Sequence, residues 1–442
     1  MQFNSIDFIF YFLPLFLVVY AVFDQKRKTV PLVVGSLVFY LCACAGNEWH
    51  IAVLLACVAF TYLASQTLEK KRPVLLGIYL GLMAALLCFF KLFGGGRYLP
   101  SGMSFYLFLM AAYLIDVYRG KMSPEKNVLH FMSQMVMFPK ILSGPISDPV
   151  DLKEQSHCAK MTGEMVREGI QDFVLGLALK VILANRLGGL WSEIQSTGFD
   201  SVTVAFAWMG IVGYSMKLYF DFYGYSLMAV GLGKMMGYQL PMNFLDPYAS
   251  KTVSEFYRRW HVTLGTWFRE YLYIPLGGNR KGTLRTVLNL AIVWLFTGLW
   301  HGVGGNYLIW ALILFMLVLS ERFVTGNFLK KSNVISHIYL VFVILLSWVP
   351  FAIGDFSQML AFYARLFGLA GAAKNGLDYM IWGQHYFGML FAGVILATPL
   401  PGRIWSKIRG SAIADLVTLI LFWIAVYYIS TAAQDPFMYF QY

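Results

Sequence analysis

The chain has 442 residues, of which 59% are hydrophobic and only 13% charged, and it carries a formal net charge of +11. That balance lies outside the range of soluble globular domains and points to a polytopic membrane protein. It excludes nucleic-acid binding as the use of the charge, because Lys and Arg sit at the ends of apolar segments and not on one soluble face.

In chain order, apolar stretches occupy residues 6–23, 30–45, 51–65, 74–93, 103–118, 202–233, 287–320, 335–354, 386–400 and 412–430. At about 20 residues per crossing they predict roughly ten to twelve spanning helices in an all-α membrane protein. The longest polar stretch, near 148–168, is too short for a soluble domain. One membrane domain is therefore expected over 1–442: N-terminal helices over 1–120, a core over 121–320 and C-terminal helices over 321–442. The first apolar segment lacks a basic leader and a small-residue cleavage site, so it reads as a retained helix. Cys42, Cys44, Cys57, Cys88 and Cys158 lie mostly in apolar runs without metal-ligand spacing, and buried thiols are expected.

Charge orients the chain. "DQKRKT" (24–29), "LEKKRP" (68–73) and "VYRGK" (117–121) are richer in Lys and Arg than the intervening loops. The positive-inside rule makes these three loops cytoplasmic and places the N-terminus outside. The basic loops suit an anionic leaflet, and they could attract an acidic carrier.

Three regions interrupt the helix–loop rhythm. Residues 127–146, "NVLHFMSQMVMFPKILSGPI", are apolar yet hold His130, Pro139, Lys140, Gly144 and Pro145, which suggests a re-entrant or interfacial element. Residues 253–271 read as one amphipathic helix with an aromatic stripe of Phe256, Trp260, Leu264, Trp267 and Tyr271, and with Glu255, Arg258, Arg259, Arg269 and Glu270 as charges. It ends at "IPLGGNRKG", where Pro275 and a glycine pair force a turn.

The third is "FTGLWHGVGGN" (296–306). No charged residue occurs over 286–320, and Gly302, Gly304 and Gly305 divide that stretch into pieces of about 16 residues. Each piece rises roughly 24 Å, short of the roughly 30 Å hydrocarbon core, so His301 is expected at a helix end facing a wet passage. Helix C-terminal carbonyls favour a cationic imidazole while burial disfavours it, a balance suited to a general base. A core histidine satisfied by a carbonyl is the structural alternative; an ionisable group within a membrane segment favours function.

Asp221 lies among aromatics, with Lys217 four positions earlier. A buried Lys217–Asp221 pair is the structural expectation, and tunnel lining the functional one. Asn243 and Tyr248 are expected to shape a loop and to do no chemistry. His50, His130, His157, His337 and His385 share no motif and read as ordinary histidines.

The stretches "YFDFYGYSLMAVGLGKMMGYQLPMNFLDPY" (219–248), "EFYRRWHVTLGTWFREYLYIPLGGNR" (255–280) and "FTGLWHG" (296–302), with 101–120, 138–146 and the terminal "DPFMYFQY" (435–442), carry a specific similarity. The chain resembles the membrane-bound O-acyltransferase superfamily, most closely its alginate O-acetyltransferase-type bacterial branch. The resemblance implies a ring of roughly ten to twelve transmembrane helices around a central tunnel, with re-entrant or interfacial helices. It implies that His301 is catalytic and that His261 is the second active-site histidine. Asp221, Arg258, Trp260 and Trp300 are the further candidates for lining the tunnel. Tyr257 replaces a tryptophan and Gly265 replaces a frequent serine of the family pattern.

The activity implied is acyl transfer, most often of acetyl, from a cytoplasmic thioester such as acetyl-CoA to hydroxyls of an extracytoplasmic polysaccharide, in a multi-pass bacterial inner or plasma membrane protein. No bound cofactor and no metal is expected. The partners expected are the bilayer, a glycan acceptor, and an extracytoplasmic acyltransferase or a cytoplasmic acyl carrier. No Gly-x-Ser-x-Gly elbow occurs, so a serine acyl-enzyme is not indicated. D-alanyl transfer to teichoic acid from a carrier protein stays open. So does a transporter, although no internal repeat between the halves supports one.

Overall fold

The computed structural model describes residues 1–93 and 98–431, so the terminal motif at 435–442 lies outside the described residues. Among these, regular structure is helical, apart from one isolated antiparallel bridge between Phe244 and Trp260. The helices used below are α1 (Asp7–Val22), α2 (Thr29–Ala43), α3 (Val128–Val136), α4 (Phe138–Ile141), α5 (Gly163–Thr197), α6 (Val204–Met235), α7 (Val253–Arg259), α8 (Val262–Phe268), α9 (Thr283–His301), α10 (Gly305–Leu329), α11 (Asn333–Ala352) and α12 (Phe356–Leu366).

Among the described residues, seven helices are long and apolar enough to cross a membrane, or eight if Asp378–Leu396 and Pro399–Ile408, bent by 71°, count as one span. Two segments of the expected ten to twelve fall out because α1 and α2 are apolar but short. The 15 residues of α2 rise only about 22 Å. Of the cysteines, only Cys44 and Cys57 are buried; Cys42, Cys88 and Cys158 face outward, contrary to the expectation.

The chain forms two compact units. One comprises Met1–Ala178, Gly224–Met242 and the residues from Arg409 onward; the other comprises Leu179–Tyr223 and Asn243–Ile408. In the first, Phe8, Phe12 and Phe16 recur every four residues and so share a face of their helix. Phe138 inserts among them, its ring 5.6 Å from Phe12 and 5.1 Å from Phe16, with Phe39 of α2 at 5.4 Å. Two glycine pairs permit backbone-to-backbone helix contact: a Cβ at Gly169 would lie 2.6 Å from the Gly231 carbonyl, and one at Gly176 would lie 2.4 Å from that of Gly224. The irregular stretch expected over 127–146 is α3, a break at Met137 and the single turn α4. Asn127 caps α3 by accepting from the Leu129 and His130 amides. Lys140 is buried, its Nζ donating to the Gln134 carbonyl at 2.7 Å. Burial without a carboxylate partner pushes its ammonium down to about 7.

In the second unit, α9 and α10 form a hairpin. Gly298 lets them close, since a Cβ there would lie 2.9 Å from that of Ala311. Pro350 lies inside α11 and offers no amide to the Leu346 carbonyl. Tyr363 of α12 donates its hydroxyl to that carbonyl instead, at 2.9 Å, and Asn306 Nδ2 donates to the Pro350 carbonyl at 3.0 Å. The proline is thus tolerated because Tyr363 supplies the donor it removes, while Asn306 satisfies a carbonyl of the last helical turn.

Candidate active site

α9 ends at His301 and α10 begins at Gly305, so the glycine run breaks the apolar stretch at the imidazole, as expected. Gly302 is needed for space: a Cβ there would lie 2.5 Å from the Tyr307 ring. The His301 ring packs edge-on against Trp310 at 4.9 Å and Phe351 at 5.1 Å, with Trp300 at 4.6 Å. The residue is only 5% exposed. Aromatic faces surround the ring where the sequence suggested an open wet passage.

His261 overturns the expectation of one helix over 253–271. It adopts a left-handed backbone, φ 47° and ψ 52°, between α7 and α8. A non-glycine residue there costs about 1–2 kcal/mol, so the surroundings must impose it. They do so through a main-chain pairing: Leu245 N donates to Arg259 O at 3.0 Å, and Val262 N donates to Asn243 O at 2.9 Å. Before the break Phe256 and Trp260 stack at 5.5 Å, and after it Leu264 is buried.

The 243–245 segment also holds the imidazole. Asn243 Oδ1 accepts from Thr263 Oγ1 at 2.6 Å and from Thr263 N at 3.4 Å, and it lies 3.3 Å from His261 Nδ1. An amide oxygen only accepts, so this contact requires the proton on Nδ1 and leaves the lone pair on Nε2. Phe222 packs edge-on against the ring at 4.7 Å. His261 is 4% exposed, and burial pushes its imidazole far down, to about 3. It is therefore a neutral hydrogen-bonding group.

Trp300 brings the two histidines into one cluster, its ring 5.9 Å from His261 and 4.6 Å from His301. Trp260 extends this aromatic wall, packing on Trp348 at 5.3 Å, which stacks on Trp310 at 6.2 Å. Trp260 and Trp300 are thus found with both histidines. Arg258 is not: it is exposed. Asp221 is buried, but its partner is Lys180 and not Lys217, whose stem lies against Gly188. Lys180 sits beside Asp221 because α5 and α6 face one another there, a relation invisible in local spacing.

Two positioning residues escaped sequence reading. Asn243, which reads in the sequence as a loop-shaping residue, is the hydrogen-bond partner of His261 and Thr263. Glu321, buried on α10, accepts from Ser254 N at 3.1 Å, from Ser254 Oγ at 3.0 Å and from Val253 N, fastening the start of α7. Thr252 caps the same helix by accepting from Glu255 N at 3.0 Å. A capping threonine three residues before a glutamate was the one local signal. Separately, in the first unit, His130 and His157 stack at 4.6 Å and His157 Nε2 lies 3.1 Å from Glu125, so these two histidines are not independent. Among the described residues no three His, Cys, Asp or Glu side chains group to hold a metal ion.

Residues 135–343 match the family model described as MBOAT, membrane-bound O-acyltransferase family. The chain is 32% identical to the probable alginate O-acetylase AlgI of Pseudomonas putida, over the whole of both chains. It is 30% identical to the peptidoglycan O-acetyltransferase of Helicobacter pylori, over 84% of this chain and 80% of that one. Similarity to the teichoic acid D-alanyltransferase of Bacillus subtilis is 29%, over 52% of this chain and 59% of the relative. A multi-pass membrane enzyme that moves acyl groups to oxygen, the chain belongs to the membrane-bound O-acyltransferase family.

Proposed function

We propose that the protein transfers acetyl from a cytoplasmic thioester, with acetyl-CoA as the donor, to hydroxyls of an extracytoplasmic polysaccharide. The observation that carries the reading is the pairing of two buried imidazoles through Trp300, in a chain similar along its full length to an alginate O-acetylase. The acceptor hydroxyl oxygen attacks the thioester carbonyl carbon while His301 takes the hydroxyl proton. The C–S bond then breaks, and the proton passes to the leaving thiolate. His261, with its lone pair on Nε2, suits holding the acceptor hydroxyl; a neutral ring in this tautomer does not suit polarising a carbonyl. The aromatic wall of Trp260, Trp300, Trp310 and Phe351 keeps water from the thioester.

Transfer is direct or relayed through a partner, without a stable acyl-enzyme, and rapid quench should find no acyl group on the chain. An extracytoplasmic acyltransferase or a cytoplasmic acyl carrier completes delivery. The test replaces His301 with Ala and measures ester-linked acetate on cell-surface glycans, with membrane insertion checked in parallel. Loss of acetate supports the reading, and normal acetate with an inserted variant removes it. Loss of ester-linked D-alanine in place of acetate would move the protein to the D-alanyl branch.

A further inference from the structure

Asn243 is 1% exposed, and its side-chain oxygen faces Thr263 N, Thr263 Oγ1 and His261 Nδ1. A backbone N–H can only donate, so the contact with Thr263 N fixes which end of the amide is oxygen. Nδ2 is thereby the other end, and it is buried with no hydrogen-bond partner among the described residues. A buried amide donor left unsatisfied costs about 1–3 kcal/mol, so such a group calls for an explanation. Its own main-chain carbonyl is engaged by Val262 N at 2.9 Å, so the amide is held rigidly beside the second histidine.

We propose that Asn243 Nδ2 donates to the carbonyl oxygen of the acyl donor and holds the oxyanion formed when the acceptor attacks. The inference rests on the acyl-transfer reading above. As the new C–O bond forms, the carbonyl π pair moves to oxygen, where Nδ2–H meets it; as the C–S bond breaks, the pair returns and the thiolate leaves with the proton taken from the acceptor. The step needs no other reactant. Charge develops among buried groups beside the Phe222 and Trp300 rings, where a fixed dipole acts far more strongly than in water. The oxygen end of Asn243 is taken up by Thr263 and His261, which leaves its nitrogen end for the carbonyl.

The experiment compares Asn243→Asp, Asn243→Ala, Thr263→Val and His261→Ala in cells lacking the parent gene. The readout is the initial rate of ester-acetate formation on surface glycans, normalised to membrane-inserted protein. Asp keeps the three acceptor contacts and puts a carboxylate oxygen where the Nδ2 donor stood, while Ala removes donor and acceptor together. Asn243→Asp and Asn243→Ala should each fall about 10²-fold or more. Thr263→Val keeps the donor and should fall less than tenfold. Asn243→Asp within threefold of the parent, or Thr263→Val falling as far as Asn243→Asp, overturns the inference while leaving acyl transfer standing. Full activity in His261→Ala removes the second histidine from the site and this inference with it, whereas normal ester acetate in cells carrying no copy of the gene takes down the functional reading and the inference together.

Discussion

Asp221 of α6 forms its ion pair with Lys180, 41 residues away, and both side chains are buried. Removing one partner strands a charge in a low-dielectric interior, whereas removing both leaves only apolar surface. Asp221→Asn and Lys180→Met should each destabilise the protein by about 3–5 kcal/mol. The double variant Lys180→Met/Asp221→Leu should recover most of that loss, while Lys217→Ala costs little. Thermal unfolding in detergent reads all four. A double variant as unstable as the sum of the singles would show that the pair is not coupled.

Glu321 holds α7, and α7 leads into the strained His261. Glu321→Ala leaves the Val253 and Ser254 donors without their acceptor and should cost about 1–3 kcal/mol. Because His261 depends on the course of this segment, acetyl transfer should fall more than that loss of folded protein explains. Glu321→Gln retains one acceptor oxygen and should lie between Ala and the parent. Activity per folded molecule equal to the parent in Glu321→Ala would separate this carboxylate from the site.

The α9–α10 hairpin closes over Gly298 and turns at Gly302. Gly298→Leu must push the helices apart at Ala311, and Gly302→Val must displace the Tyr307 ring. Both should lower the unfolding temperature and reduce transfer by at least tenfold through movement of His301. Gly305→Ala meets nothing within 4 Å and should behave as the parent. Parent-like activity in Gly302→Val would show that the tight turn does not position the imidazole.

Lys140 supplies a pH signature. Burial pushes its ammonium down to about 7 in the folded protein, against an ordinary lysine value of 10.5. Between those values the unfolded chain binds more protons, so its contribution makes stability rise with pH across that window; below it the full burial cost remains. Lys140→Met removes the term. The variant should be more stable than the parent at pH 7, and the gap should narrow towards pH 10. Melting curves at several pH values read this directly, and parallel curves for the two proteins would mean that Lys140 is not buried as a neutral amine.

Much of the architecture was legible along the chain because its causes are local. Apolar length decides which segments can enter a bilayer, and three glycines in four residues after His301 decide where a helix must stop. Tryptophans 260 and 300 could be linked to the two histidines because each is a sequence neighbour of one of them. What local spacing could not decide was choice of partner. Asp221 had a lysine one turn away and took another from a different helix. The amphipathic helix over 253–271 was sound by periodicity, yet the chain broke at His261 to pair with residues 243–245. Asn243 and Glu321 became positioning residues only because remote segments brought donors to their oxygens. Burial explains the difference: inside a low-dielectric core each polar group must find a partner wherever the fold places one, and that need overrides the preference of any single segment.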